Sequence, residues 1–141
     1  MIYLDTNVII YAIANDEKYG KSCKDILLDI DSKKIEVCAS TLVLVEVINV
    51  LKNLNKILKK ENKKELDIKK NIDSILSLPI IWFNLDFFII KRAAEYKYNI
   101  IGVDYLHIAS MEINLVTQII SADKELDKVD FIKRVDPLNY Q

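Results

Sequence analysis

The sequence predicts a three-layer α/β domain: a central parallel sheet of four to five strands with helices on both faces. Three observations carry that expectation. Short apolar runs alternate with longer stretches of helical periodicity, and strands separated by helices need crossover connections. The 141 residues, 51% hydrophobic, suffice to bury one core, so residues 1–141 are expected to form a single domain. Two glycines and two prolines leave little room for long loops, linkers or a second domain.

Met1 to Leu4 reads as a short buried strand. Thr6 to Ala14 follows as a mostly apolar helix whose start carries Asp5, Thr6 and Asn7, residues suited to capping. In Glu17 to Asp31, Cys23, Ile26, Leu27 and Ile30 fall at helical spacing, and Lys33-Lys34 closes that helix where cations suit its dipole. Ile35 to Ala39 is the second strand. Ser40 and Thr41 then cap a long helix through about Lys60. Glu65 to Leu78 is a further helix stopped by Pro79, and Pro79 to Phe83 the third strand. Helices over Asp86 to Tyr98 and Val103 to Asn114 precede a fourth strand, Gln118 to Ala122. A turn of helix at Lys124 to Lys128, a last strand near Phe131 to Val135 and Pro137 complete the pattern. Neither an internal repeat nor a low-complexity tail is present.

Composition excludes several classes. Uncharged stretches run to about a dozen residues at most, Thr6 to Asn15 among the longer ones, against the roughly 20 a spanning helix needs. No basic stretch precedes the first strand, so a secretory leader is not expected. Cys23 and Cys38 match no metal or redox spacing and read as reduced core residues of a cytoplasmic protein. The net charge of −1 does not advertise a nucleic-acid binder, but its distribution is uneven: eight lysines stand between Lys52 and Lys70 against Glu61, Glu65 and Asp67. That run is either a solvated helical hairpin or a phosphate-contacting patch.

The informative residues are acids in apolar surroundings. Asp5 is the only charged side chain in the first fifteen residues and ends the first strand, where ligands bind in open α/β sheets. Glu46 is the only charge from Val37 to Leu51, in a helix apolar over most of its surface. An ionised carboxylate there is costly unless paired or bound to a metal. Asp104 opens a helix as the only charge from Tyr98 to Met111, and Asp123 follows the fourth strand. Asp5, Asp104 and Asp123 could each serve as a helix cap, and Glu46 could lie on an exposed strip or pair with a lysine. Taken together, the four acids converge on one rim of the sheet. Clustered carboxylates repel and raise one another's pKa, a conflict that a hard divalent cation relieves. Acids without thiols and with a single histidine argue against zinc. A metal held by such acids can activate water and stabilise a leaving oxygen, the chemistry of phosphodiester hydrolysis.

Four segments, in order and spacing, resemble the PIN-domain ribonucleases, and more narrowly the VapC-type toxins of VapBC toxin–antitoxin pairs. The opening Ile2-Tyr3-Leu4-Asp5-Thr6-Asn7 is similar to the family's strand ending in Asp-Thr-Asn or Asp-Thr-Ser. Glu46 within Thr41 to Val47 matches its helical glutamate, and Asp104-Tyr105-Leu106-His107-Ile108-Ala109 its Asp-x-x-His-x-Ala segment. Ser121-Ala122-Asp123-Lys124-Glu125-Leu126 looks like its Thr-x-Asp-x-x-Phe segment, with Ser121 for Thr and Leu126 for Phe. The resemblance implies Asp5 and Asp104 as principal ligands of Mg²⁺ or Mn²⁺. It implies that Glu46 and Asp123 complete the catalytic acids, directly or through water, with Thr6, Asn7 and Ser121 in support. It also implies an RNA substrate, such as tRNA or rRNA, cut endonucleolytically, a cognate antitoxin partner and a homodimer. His107 reads as structural, a packed histidine at a helix start, rather than as a residue that orients a neighbour or contacts RNA.

Three alternatives stand beside this one. A PIN nuclease of RNA processing without an antitoxin would carry the same residues. A Mg²⁺-binding receiver-like signalling domain would need an acceptor Asp and a strand-end Lys, and gives Glu46 no place. A catalytically silent interaction module would have no use for four retained acids. A dehalogenase-type phosphatase wants Asp-x-Asp where Asn7 stands, and a dinucleotide-binding domain needs a glycine-rich turn that does not follow Leu4.

Overall fold

The computed structural model describes residues 1–140. Five strands form one parallel sheet: β1 (Ile2–Leu4), β2 (Val37–Ser40), β3 (Ile80–Phe83), β4 (Gln118–Ile120) and β5 (Lys133–Val135), in the order β3-β2-β1-β4-β5. Six α-helices connect them: α1 (Thr6–Ala14), α2 (Gly20–Asp31), α3 (Leu42–Lys60), α4 (Ile68–Ser77), α5 (Phe87–Ala93) and α6 (Gly102–Ile113). The chain adds β2 and β3 on one side of β1, then returns to add β4 and β5 on the other. Because parallel crossovers are right-handed, that reversal moves the helices to the opposite face. Accordingly, α1 to α4 bury Val8, Ile9, Ile26, Val47 and Ile75 against Leu4, Val37, Ala39, Ile80 and Ile120. Beneath the other face, Ile108 and Met111 of α6 pack on Tyr3, Cys38 and Ile119, and α5 closes over Ala109 through Ile89 and Ala93. Successive strand residues thus serve opposite cores, which is why these strands read as continuous apolar runs.

Several boundaries move inward from the sequence expectation, each for a local reason. Helix α2 starts at Gly20 rather than Glu17. Asp16 Oδ2 accepts from the Lys18 and Tyr19 amides at 3.0 and 2.8 Å, which forms a turn first. Gly20 suits the position, since a Cβ there would meet the Asn15 carbonyl carbon at 3.0 Å, a tight contact with backbone. Helix α4 starts at Ile68 instead of Glu65. Asp67 caps it through the Lys70 amide at 3.0 Å, while Asn55 of α3 bonds both polar backbone atoms of Leu66. Helix α5 ends at Ala93, short of Tyr98, and the tyrosines beyond it, Tyr96 and Tyr98, turn into the core under α6. Among the described residues no helix is long and apolar enough to cross a membrane. Both cysteines are buried and unpaired, and burial pushes each thiol up to about 12. Phe87 and Phe88 of α5 stand 89% and 78% exposed, the most conspicuous apolar side chains on the surface apart from Leu115.

Candidate metal centre

Strand addition reverses between β1 and β4, and their carboxyl ends open into a cavity of about 290 Å³. Its lining includes Asp5, Glu46, Asp104 and Asp123, together with Thr6 and Asn7. Asp5 continues β1, its amide donating to the Ile120 carbonyl of β4 at 3.1 Å. Its side chain does cap α1, Oδ1 accepting from the Thr6 amide at 2.8 Å. The second oxygen, Oδ2, faces the other way and accepts from Ser121 Oγ at 2.5 Å and Asn7 Nδ2 at 3.1 Å. Ser121 Oγ in turn accepts from the Asp123 amide at 3.0 Å, and Asn7 Oδ1 from the Ala122 amide at 3.3 Å. Asn7 and Ser121 therefore stitch the ends of β1 and β4 together and fix Asp5 between them. Asp123 caps the 3-10 turn Lys124–Lys128 through the Glu125 amide at 3.0 Å. Capping and site membership are compatible for both residues, because a cap uses one carboxylate oxygen.

Asp104 is not the cap of α6. It sits in the first helical turn, the cap position being Ile101. Its carboxyl is pushed up to about 6, first by burial and then by the charges of Asp5, Asp123 and Glu46, against the opposing influence of His107. All four acids are thus electrostatically coupled at this one residue. Burial likewise raises Asp5, with His107, Ser121 and the Thr6 amide partly offsetting it.

Glu46 belongs to α3, and its half-buried carboxylate is held by two donors. Thr6 Oγ1 donates to Oε1 at 2.9 Å, and His107 Nε2 bonds the same oxygen. Burial works against its charge, but those bonds outweigh it and hold the Glu46 pKa below the ordinary glutamate value. His107 is packed, as its position in the sequence suggests, with 2% exposure. Burial disfavours its charged form, while the bond to Glu46 and the charges of Asp5, Glu46 and Asp104 outweigh burial and raise its pKa. Tyr3, fully buried beneath the site, had no signal in the sequence beyond its place in an apolar strand. It reaches His107 Nδ1 at 2.6 Å and the Ser40 amide at 3.0 Å.

Among the described residues, no three His, Cys, Asp or Glu side chains converge closely enough to enclose a metal ion by themselves. The donor set nevertheless fits a hard cation that keeps several waters and takes one or two carboxylates directly, as Mg²⁺ does. Oxygen donors with raised pKa values around an open cavity suit that ion, and none of the donors in the lining is sulfur.

Fold and site together define a class: parallel α/β domains that gather carboxylates where strand addition reverses. The chain belongs to the PIN-domain family, whose model matches residues 2–132. No curated protein matches its sequence. Among solved structures it is similar to VapC20 of Mycobacterium tuberculosis, described as a sarcin–ricin loop cleaving toxin. The TM-score is 0.71 at 17% identity, over 94% of this chain and 97% of that one. It is also similar to VapBC2 of Rickettsia felis bound to promoter DNA, with a TM-score of 0.67 at 18% identity over 96% and 98% of the two chains. A toxin–antitoxin complex from Klebsiella pneumoniae gives 0.64 at 16% over 97% and 98%. At these identities the likeness is one of fold.

Proposed function

We propose that this protein is a Mg²⁺- or Mn²⁺-dependent endoribonuclease and the toxin of a toxin–antitoxin pair. The observation that carries the reading is the meeting of Asp5, Glu46, Asp104 and Asp123 around one cavity at the reversal point of a PIN-domain sheet. Asp5 and Asp104 are the residues that would hold the cation, with Glu46 and Asp123 contacting it directly or through water. A divalent cation there would neutralise the acids and stabilise negative charge developing on a phosphate. The chain's own residues prepare for this. Ser121 and Asn7 orient Asp5, while Thr6 and His107 keep Glu46 ionised as a proton acceptor at the cavity wall. The cavity lies at the surface, where the phosphodiester backbone of an RNA can reach the acids.

The likeness to toxin–antitoxin complexes supports an antitoxin partner. An apolar groove of about 480 Å³ between α1, α2 and α4, lined by Ile9, Ile13, Leu27, Leu28 and Leu78, offers a place for a partner's apolar side chains. The same reading includes a homodimer and a cytoplasmic setting. Incubating the protein with total tRNA and with rRNA in Mg²⁺, Mn²⁺ or EDTA tests the activity. Cleavage should require metal and fall at least a hundredfold in a folded Asp5→Asn/Asp104→Asn protein, in line with the loss of a principal electrostatic group. Cleavage that persists in EDTA or in that variant would refute it.

A further inference from the structure

Beneath the acids runs a buried chain of hydrogen bonds that reaches the cavity only at its end. The Ser40 amide donates to Tyr3 Oη, Tyr3 Oη meets His107 Nδ1 at 2.6 Å, and His107 Nε2 bonds Glu46. Tyr3 and His107 are 0% and 2% exposed, and neither lines the cavity. Donor counting assigns the protons. A tyrosine hydroxyl has one hydrogen. The Ser40 amide takes one lone pair of Tyr3 Oη, and His107 Nδ1 is the acceptor within reach of the hydroxyl hydrogen. The ring's proton then lies on Nε2 and is donated to Glu46 Oε1. With the proton on Nδ1 instead, Tyr3 Oη could accept both N–H groups, but its own hydrogen would be left without an acceptor in the core, and Nε2 would set a lone pair against Glu46 Oε1.

We infer that Tyr3 and His107 are positioning residues for Glu46: Tyr3 fixes the His107 tautomer, and His107 fixes the carboxylate that faces the metal. The inference rests on the metal-centre reading above and extends it to two residues that touch neither substrate nor cation. Such outer partners of metal-facing groups commonly carry a 10- to 100-fold effect on metal affinity. His107 restrains one oxygen of Glu46 and Thr6 reinforces the same oxygen, so Oε2 is left to face the cavity.

His107 is the chain's only histidine, so its ring nitrogens can be read without assignment in the ¹⁵N-labelled protein. At mildly alkaline pH the spectrum should show a protonated Nε2 and an unprotonated, hydrogen-bonded Nδ1. A neutral ring with its proton on Nδ1 would overturn the inference. Mn²⁺ affinity, measured by calorimetry, supplies the second readout. His107→Gln retains a donor near the Nε2 position and should bind within about threefold of the native protein. His107→Leu should bind about tenfold or more weakly. Tyr3→Phe should lie between them and lose the single-tautomer signature. Thermal melts establish that each variant is folded. A purely structural histidine would lower the melting temperature in both His107 variants and leave their Mn²⁺ affinities equal, which would overturn the positioning role. If the native protein binds no Mn²⁺ at all, the metal centre itself fails. Native binding with indifferent variants fails this inference alone.

Discussion

Asp104 shows most directly how one residue joins stability to function. Its folded pKa, about 6, lies above the ordinary aspartate value, so the folded state holds this proton more tightly than the unfolded chain does. Its unfavourable contribution is absent below the ordinary aspartate value, grows as pH rises from there to about 6, and is complete above it. In EDTA at neutral pH, Asp104→Asn is therefore expected to stabilise the fold, by about 1 kcal/mol once solvent screening of this half-buried group is discounted. A lower melting temperature in the variant would contradict the electrostatic account. Metal must compete with that proton, so Mn²⁺ affinity in the native protein should weaken as pH falls below about 6. The four acids were legible in the sequence because each stands alone in an apolar run. Asn7 and Ser121 were reached through family resemblance. The Tyr3–His107–Glu46 chain was not legible, because its members lie 104 and 61 residues apart and nothing local relates them.

Among the elements, caps were only partly readable: Asp5 and Asp123 cap as their positions suggest, whereas Thr41 makes no side-chain capping bond and Ser40 Oγ accepts the Leu42 amide at 3.1 Å in its place. Asp86 opens α5, accepting from the Ile89 amide at 2.9 Å, and Asp86→Ala should cost about 1 kcal/mol in chemical denaturation. An unchanged midpoint would show that packing alone holds that helix. Helical periodicity predicts the starts of α2 and α4 three residues early, because Asp16 and Asn55 direct the backbone into turns that it does not register. Helix α6 carries a local cost of its own. Ser110 is fully buried, and among the described residues its hydroxyl finds no hydrogen-bond partner. Ser110→Ala removes that hydroxyl and should raise stability by about 1 kcal/mol. A loss on thermal melting would mean that the hydroxyl is satisfied in solution. The apolar run of α3 is core along one stripe only: Val43, Val47 and Leu51 are fully buried while Val45 is 53% exposed, and Leu51→Ala should cost about 2–5 kcal/mol.

For the whole molecule, the fold class followed from alternation of strands and helices, but the strand order did not. Nothing in the composition of β4 says that it pairs with β1 rather than with β3. That pairing makes the site, since it sets Asp123 and Ser121 beside Asp5. It also places the lysine run. Glu46 lies near the start of α3 and Lys60 at its end, about 21 Å away at 1.5 Å per residue, and the eight lysines are all exposed. The geometry favours a solvated face. Replacing Lys59, Lys60, Lys63 and Lys64 with Gln should leave RNA cleavage in low salt within about twofold, whereas a steep loss would make them phosphate contacts. The central claim is that this sheet edge is a cation centre. Calorimetric titration of the metal-free protein with Mn²⁺ at neutral pH tests it most directly. The account predicts saturable binding that weakens at least tenfold in folded Asp104→Asn. Absence of binding by the native protein, or equal affinity in the two, would contradict it.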